Sequence, residues 1–147
     1  MKQTILFLIL GLTSITVARA QDVSVKVTMS DEIEGDAMTT FTPDTFKIYA
    51  LFKTKGAKNG DKIRGVLIAE DVGSVAPPNT KVLETKIDME GDTEDGDFNF
   101  SKPTKGWPTG KYRVEIYLND KLATTAKFSV NAFAKKKSSD GVEESGD

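Results

Sequence analysis

Alternation of apolar and polar side chains with a period of two dominates the chain from residue 23 to residue 130, and no window there carries a helical stripe. Val23, Val25, Val27 and Met29 alternate with Ser24, Lys26 and Thr28, which predicts a strand with one wet face. Phe46, Ile48, Ala50 and Phe52 repeat the pattern after Pro43 and Asp44. Within 63–70, Val66, Leu67, Ile68 and Ala69 form an unbroken apolar run, expected to be buried on both faces. Leu83, Thr85, Ile87 and Met89 share one side of a strand over 81–89, and Phe98 and Phe100 mark a short one. Tyr112, Val114, Ile116 and Leu118 point one way while Arg113, Glu115 and Tyr117 point the other. Asn119 and Asp120 tolerate positive φ and predict a two-residue hairpin turn. The return strand then sets Leu122, Thr124, Ala126, Phe128 and Val130 on one face. Seven short strands separated by turn signals predict an all-β sandwich.

Two terminal segments stand outside that pattern. Lys2 supplies a positive start, residues 5–17 an apolar run, and Ala18-Arg19-Ala20 the small side chains a signal peptidase inspects. Residues 1–20 are therefore expected to be a signal peptide cleaved after Ala20, and the product to be secreted or periplasmic. The apolar run has 13 residues and includes Thr13, Ser14 and Thr16, whereas a spanning helix needs about 20 apolar residues. No cysteine follows that run and no hydrophobic segment ends the chain, so neither a lipid anchor nor membrane insertion of the mature chain is expected. Past residue 131 the sequence turns to Lys135-Lys136-Lys137-Ser138-Ser139 and an acidic, Gly/Ser-rich end, a composition expected to stay disordered over 132–147. The domain itself is expected to occupy 21–131. There are no internal repeats.

Composition narrows the function classes. Cleavage would remove Lys2 and Arg19 and no acid, leaving 18 basic against 22 acidic residues and a net charge of −4. That balance gives no drive toward nucleic acid or an anionic membrane. Lys135, Lys136 and Lys137 are too few for headgroup binding and are opposed by Glu143 and Glu144. Without cysteine, the domain must be held by its apolar core rather than by disulfides, which suits a bacterial periplasm or exterior. Histidine is also absent, so the commonest general base, the thiol nucleophile and the usual zinc ligands are all missing. A carboxylate pair of the glycosidase kind stays formally available, but the acids cluster in turn-like segments where burial would not raise a pKa. The chain is not expected to be an enzyme.

The stretch Gly110-Lys111-Tyr112-Arg113-Val114-Glu115-Ile116-Tyr117-Leu118-Asn119-Asp120, closing with Phe128-Ser129-Val130, resembles the last hairpin of bacterial immunoglobulin-like and fibronectin-III-like domains. The resemblance implies a seven-stranded immunoglobulin-like sandwich and no particular function, since that fold hosts adhesion, accessory, chaperone and structural roles. It also implies that Tyr112 is a corner tyrosine whose hydroxyl bonds back to the chain. The disulfide and strand tryptophan of antibody-type domains are missing.

Three features could carry binding. Glu90, Asp92, Glu94, Asp95 and Asp97 surround Gly91 and Gly96 and could supply oxygen ligands to calcium, although the spacing is not that of an EF-hand and a solvated turn is the plainer reading. The acids Asp31, Glu32, Glu34 and Asp36 raise the same question. If the strands follow fibronectin-III order, the turns at 53–62, 90–97 and 119–120 gather at one end, setting lysines against acids. The opposite end would gather 31–44, 71–80 and 102–110, and there Trp107 with Pro108 is either a core plug or an aromatic docking surface. The expected protein is thus a monomeric, exported, non-catalytic module that binds an envelope or extracellular protein through loops or an edge strand. The alternative is a small-ligand or calcium-binding secreted protein.

Overall fold

The computed structural model describes residues 23–90 and 95–133, and among them eight strands form two sheets. In chain order they are β1 (Ser24–Ser30), β2 (Thr40–Phe41), β3 (Lys47–Lys55), β4 (Lys62–Asp71), β5 (Thr80–Asp88), β6 (Asp95–Ser101), β7 (Gly110–Leu118) and β8 (Lys121–Val130). A single 3-10 turn at Gly73–Val75 is the one helical element among the described residues. One sheet has the order β1-β3-β6 and the other β2-β8-β7-β4-β5. Every pairing is antiparallel except β2 with β8. The chain is an all-β, immunoglobulin-like sandwich. The predicted signal peptide and the tail beyond residue 133 lie outside the described residues.

Alternation decides which side chains meet between the sheets. Val25, Ile48, Ala50, Phe52, Phe98 and Phe100 from the smaller sheet face Ile63, Leu67, Ala69, Tyr112, Val114, Ile116, Phe128 and Val130 from the larger one, all buried. Their removal from water is the main favourable contribution in a chain with no disulfide. Close approach of the sheets depends on Gly65: a Cβ there would lie 2.7 Å from the Phe98 ring. The Phe52 and Phe98 rings meet at 5.3 Å beside that contact. The β7–β8 turn has Asn119 at φ 49° and Asp120 at φ 66°, the paired positive values that match the twist of a tight hairpin.

Four details depart from the pattern-based expectation. The two-residue strand β2 adds an eighth element to the seven expected. Phe46 is 75% exposed, because β3 begins one residue later and Trp107 occupies that end of the core, its indole bonded to the carbonyl of Thr45. Leu83 and Ile87 are 45% and 37% exposed, because no strand of the smaller sheet covers β5. Leu122, at the start of β8, is likewise exposed.

Candidate interaction surface

The end carrying the β3–β4 loop and the β7–β8 turn is held by hydrogen bonds more than by opposed charges. The Asn119 backbone N–H donates to the Lys62 carbonyl (2.8 Å), and its side-chain oxygen accepts from the Lys62 N–H (2.9 Å). The Asn119 amide donates to Asp61 Oδ1 at 2.9 Å, which with the Lys58 N–H holds the Asp61 carboxyl below the usual carboxylate range. Met89 exchanges backbone bonds with Gly60 and Asp61. Residues 60–62, 88–89 and 119–120 thus meet at this end, with Lys62–Asp88 at 3.1 Å and Arg64–Asp120 at 3.6 Å as ion pairs, while residues 91–94 of the third predicted turn lie outside the described residues. Asp92 and Glu94 lie outside the described residues. Asp97 accepts the Asn99 amide at 3.1 Å, and among the described residues no three acidic side chains cluster as a metal site.

At the opposite end Trp107 is 4% exposed. Its backbone N–H donates to the Pro43 carbonyl and its Nε1 to the Thr45 carbonyl, both at 2.9 Å, and its ring meets Tyr112 edge-on at 6.3 Å. Of the two readings the sequence left open for Trp107, this burial favours the core plug: the indole belongs to the core cluster and its N–H is used. Pro108 is half-buried, and its carbonyl accepts the Tyr112 hydroxyl at 2.7 Å, the corner bond that the hairpin resemblance implied. Tyr112 also stacks on Phe128 at 5.1 Å.

Burial pushes the Tyr112 hydroxyl up from its ordinary value near 10 to about 12. Because the folded value is the higher one, the stabilisation is complete below pH 10 and is lost as pH rises through about 12. Absorbance titration should show this tyrosine ionising only as the domain unfolds, with about 2–3 kcal/mol of stability lost over that interval. Tyr112→Phe should remove that alkaline step and, by stranding the Pro108 carbonyl, cost about 1–3 kcal/mol at neutral pH. If the titration step lost in Tyr112→Phe fell near pH 10 in the folded domain, the assignment would be contradicted.

The outer face of the larger sheet carries a polar lattice. Arg113 reaches Glu115 (2.8 Å), Glu70 (3.2 Å) and Asn79 (2.7 Å), and Lys127 joins Glu70 at 3.4 Å. The Tyr117 hydroxyl donates to Glu115 at 2.6 Å, and the Arg64 guanidinium lies 4.1 Å above the Tyr117 ring. The Tyr117 bond, then Arg113, holds the Glu115 carboxyl below its usual range, and the same Glu115 contact raises Tyr117 and Arg113. Register sets Ile68 beside Arg113, Val66 between Glu84 and Glu115, and Arg64 beside Tyr117. Val66 and Ile68 are only 5% and 7% exposed on this outward side, so the long charged side chains act as a roof over them. Apart from Arg64 Nε, which is buried without a hydrogen-bond partner among the described residues, these charges bond one another and cover the apolar surface beneath. A shallow depression lined by Thr39, Thr40, Glu70, Lys111, Lys127 and Ser129 adjoins the lattice.

The unsatisfied surface is the edge of β5. Among the described residues this strand pairs with β4 on one side and has no strand on the other, and none of its nine residues is buried. Leu83, Thr85 and Ile87 are opposite Leu67, Gly65 and Ile63, so they face inward, yet they project beyond the smaller sheet. The ladder slips between Leu67 and Ile68, leaving Val82 as an extra, bulged residue that is 48% exposed. Period-two reading placed Leu83 and Ile87 on one side of a strand; the order of strands, which alternation does not encode, makes that side a ledge.

No family of known sequences matches this chain, and no curated protein resembles it in sequence. Among solved structures it is similar to an immunoglobulin-like protein from Pseudomonas aeruginosa, at 16% identity and a TM-score of 0.45, covering 76% of this chain and 93% of the other. A DNA-bound alkylpurine DNA glycosylase from Pseudomonas fluorescens is similar at 13% identity and a TM-score of 0.42, over 75% of this chain and 30% of the enzyme. A glycoside hydrolase family 3 β-glucosidase from Bifidobacterium adolescentis is similar at 13% identity and a TM-score of 0.41, over 82% of this chain and 19% of the enzyme.

Proposed function

We propose that the chain is an exported, non-catalytic sandwich module of fibronectin-III-like arrangement that binds another protein in the periplasm or at the cell exterior. The observation that carries this reading is the bare β5 edge: a row of unpaired backbone groups flanked by exposed Val82, Leu83 and Ile87. Such an edge accepts an added strand through main-chain hydrogen bonds, with alternate side chains supplying selectivity. The pairing of β5 to β4 instead of β6 supports the fibronectin-III-like order. Against catalysis stand the absence of histidine and cysteine, and the use of Arg113, Glu115 and Tyr117 in mutual bonds on an open face.

The exported protein is expected to begin at Gln21 when its N-terminus is sequenced. Affinity capture from the cell envelope should recover a partner in stoichiometric amount, and Ile87→Arg should abolish recovery while leaving the melting temperature nearly unchanged. Equal recovery by Ile87→Arg would remove the β5 edge from the binding surface. Turnover of an ester, peptide or glycoside substrate would overturn the non-catalytic reading.

A further inference from the structure

We infer that the β5 edge pairs with a second copy of this chain, antiparallel, about a twofold axis passing through Thr85. This rests on the reading of β5 as the binding edge and names its occupant; it replaces the monomer expected from composition with a symmetric pair.

The sandwich has four sheet edges, β1, β6, β2 and β5. The edge at β2 is two residues long, and the charges of β6, Asp95 and Asp97, are of one sign, so a second copy would meet them with like charge. Val25, Met29 and Ser30 of β1 are buried in the sandwich. β8 is covered by β2 only at Ser129 and Val130, and its open stretch exposes one large apolar side chain, Leu122. Among the described residues β5 is the open edge with the most large apolar side chains in water, Val82, Leu83 and Ile87.

Its sequence, Thr80-Lys81-Val82-Leu83-Glu84-Thr85-Lys86-Ile87-Asp88, is complementary to itself in one register. Centred on Thr85, an antiparallel pair sets Leu83 opposite Ile87 twice, Glu84 opposite Lys86 twice, and Thr85 opposite Thr85. Apolar, opposite-charge and Thr–Thr pairs are the cross-strand combinations that stabilise a ladder. A slip of one residue would turn the inward face outward, which a twofold pair of half-covered sheets forbids. Registers centred two backbone positions in sum to either side set Glu84 against Glu84 or Lys86 against Lys86, and both bring like charges together. The bulge at Val82 ends the regular ladder just outside the five residues this register needs. Among the described residues Lys86 joins no ion pair, whereas Lys81 already reaches Glu84 at 3.0 Å. On the inner side, Leu83 and Ile87 of each copy would cover one another, closing the ledge that the smaller sheet leaves open. The interface is isologous, as a twofold pair requires. It joins the two larger sheets into one of ten strands.

The seam is short, so sedimentation of the purified protein should give a dimer with a micromolar dissociation constant. The chain has no cysteine, so one introduced thiol reports its own pairing. Opposed residues of an antiparallel pair have Cα atoms about 4.5–5.5 Å apart, inside the range a disulfide spans, so Thr85→Cys should crosslink under mild oxidation. Leu83→Cys should not, since its symmetry mate lies about four residues along the strand, roughly 13 Å away. Lys86→Glu should weaken the dimer about tenfold, and Glu84→Lys combined with Lys86→Glu should restore it, with thermal melting confirming the fold of each variant.

A chain that is monomeric at every concentration, or a dimer that Thr85→Cys fails to lock, overturns the pairing. A monomer whose capture of a different protein is still lost in Ile87→Arg leaves β5 as a binding edge and removes only the second copy as its occupant. A dimer locked by Thr85→Cys, weakened by Lys86→Glu and restored by the charge swap establishes it.

Discussion

Replacing Gly110 with alanine is expected to lower the free energy of unfolding by roughly 3–5 kcal/mol, a large share of the 5–15 kcal/mol typical of a single domain. Gly110 opens β7 at φ 149°, a backbone setting that side-chain-bearing residues rarely adopt. A Cβ there would lie 2.1 Å from the Asp71 carbonyl oxygen and 2.9 Å from the Val72 Cα. Both neighbours are backbone, fixed where β4 ends against β7, so no side chain can rotate away to make room. The strand start would have to move, and with it the Gly110–Val130 pairing and the Tyr112 corner two residues on. Gly60→Ala is the control. Gly60 also has positive φ, 87°, but a Cβ on it meets nothing within 4 Å, so only the conformational cost of about 1 kcal/mol is expected. Urea melts of the two variants should differ several-fold in lost stability. Equal losses would mean that backbone conformation, and not the contact with Asp71, sets the requirement for glycine at 110.

Most strands were legible in the sequence because burial of one face forces alternation, and β4 because burial of both faces makes an unbroken apolar run; seven of the eight appear where those patterns placed them. β2 was not, since two residues carry no period and Thr40–Phe41 is held by the neighbouring β8. Alternation also says which way a side chain points without saying what stands opposite. Leu83 and Ile87 alternate as faithfully as Val114 and Ile116, yet the former pair is exposed and the latter fully buried. The difference comes from sheet order: β7 lies in the middle of its sheet, and β5 overhangs an edge. The same limit hid the roof over Val66 and Ile68. Their apolar run was readable as burial on both faces, but Arg64, Arg113 and Glu115 become a cover only once β4, β5 and β7 are in register. The candidate site was therefore present in the sequence as residues and absent as a site, since its edge exists only after the strands are ordered.

Trp107→Ala is expected to cost about 3–5 kcal/mol, the range for removing a large aromatic from a packed core. Three interactions go with the ring: the T-shaped contact with Tyr112, the Nε1 bond to the Thr45 carbonyl, and the cover it gives to the core between β3 and β7. The loss should propagate to Tyr112, whose ring is clamped between Trp107 and Phe128 and whose hydroxyl is aimed at Pro108. Trp107→Phe keeps a ring but strands the Thr45 carbonyl, so it should cost about 1–3 kcal/mol. In the wild-type protein the indole should fluoresce at short wavelength and resist an ionic quencher, as befits a side chain 4% exposed. A docking anchor would behave in the opposite way: quenched readily, dispensable for stability, and lost together with partner capture. Melting and capture measured on the same two variants separate these cases. If Trp107→Ala left the melting curve unchanged while abolishing capture, the functional end of the sandwich would be the loop cluster around residue 107 and not the edge of β5. The expected result is the reverse, a destabilised domain whose remaining folded fraction still pairs through Leu83, Thr85 and Ile87, because the β5 edge lies on the far side of β4 from β7.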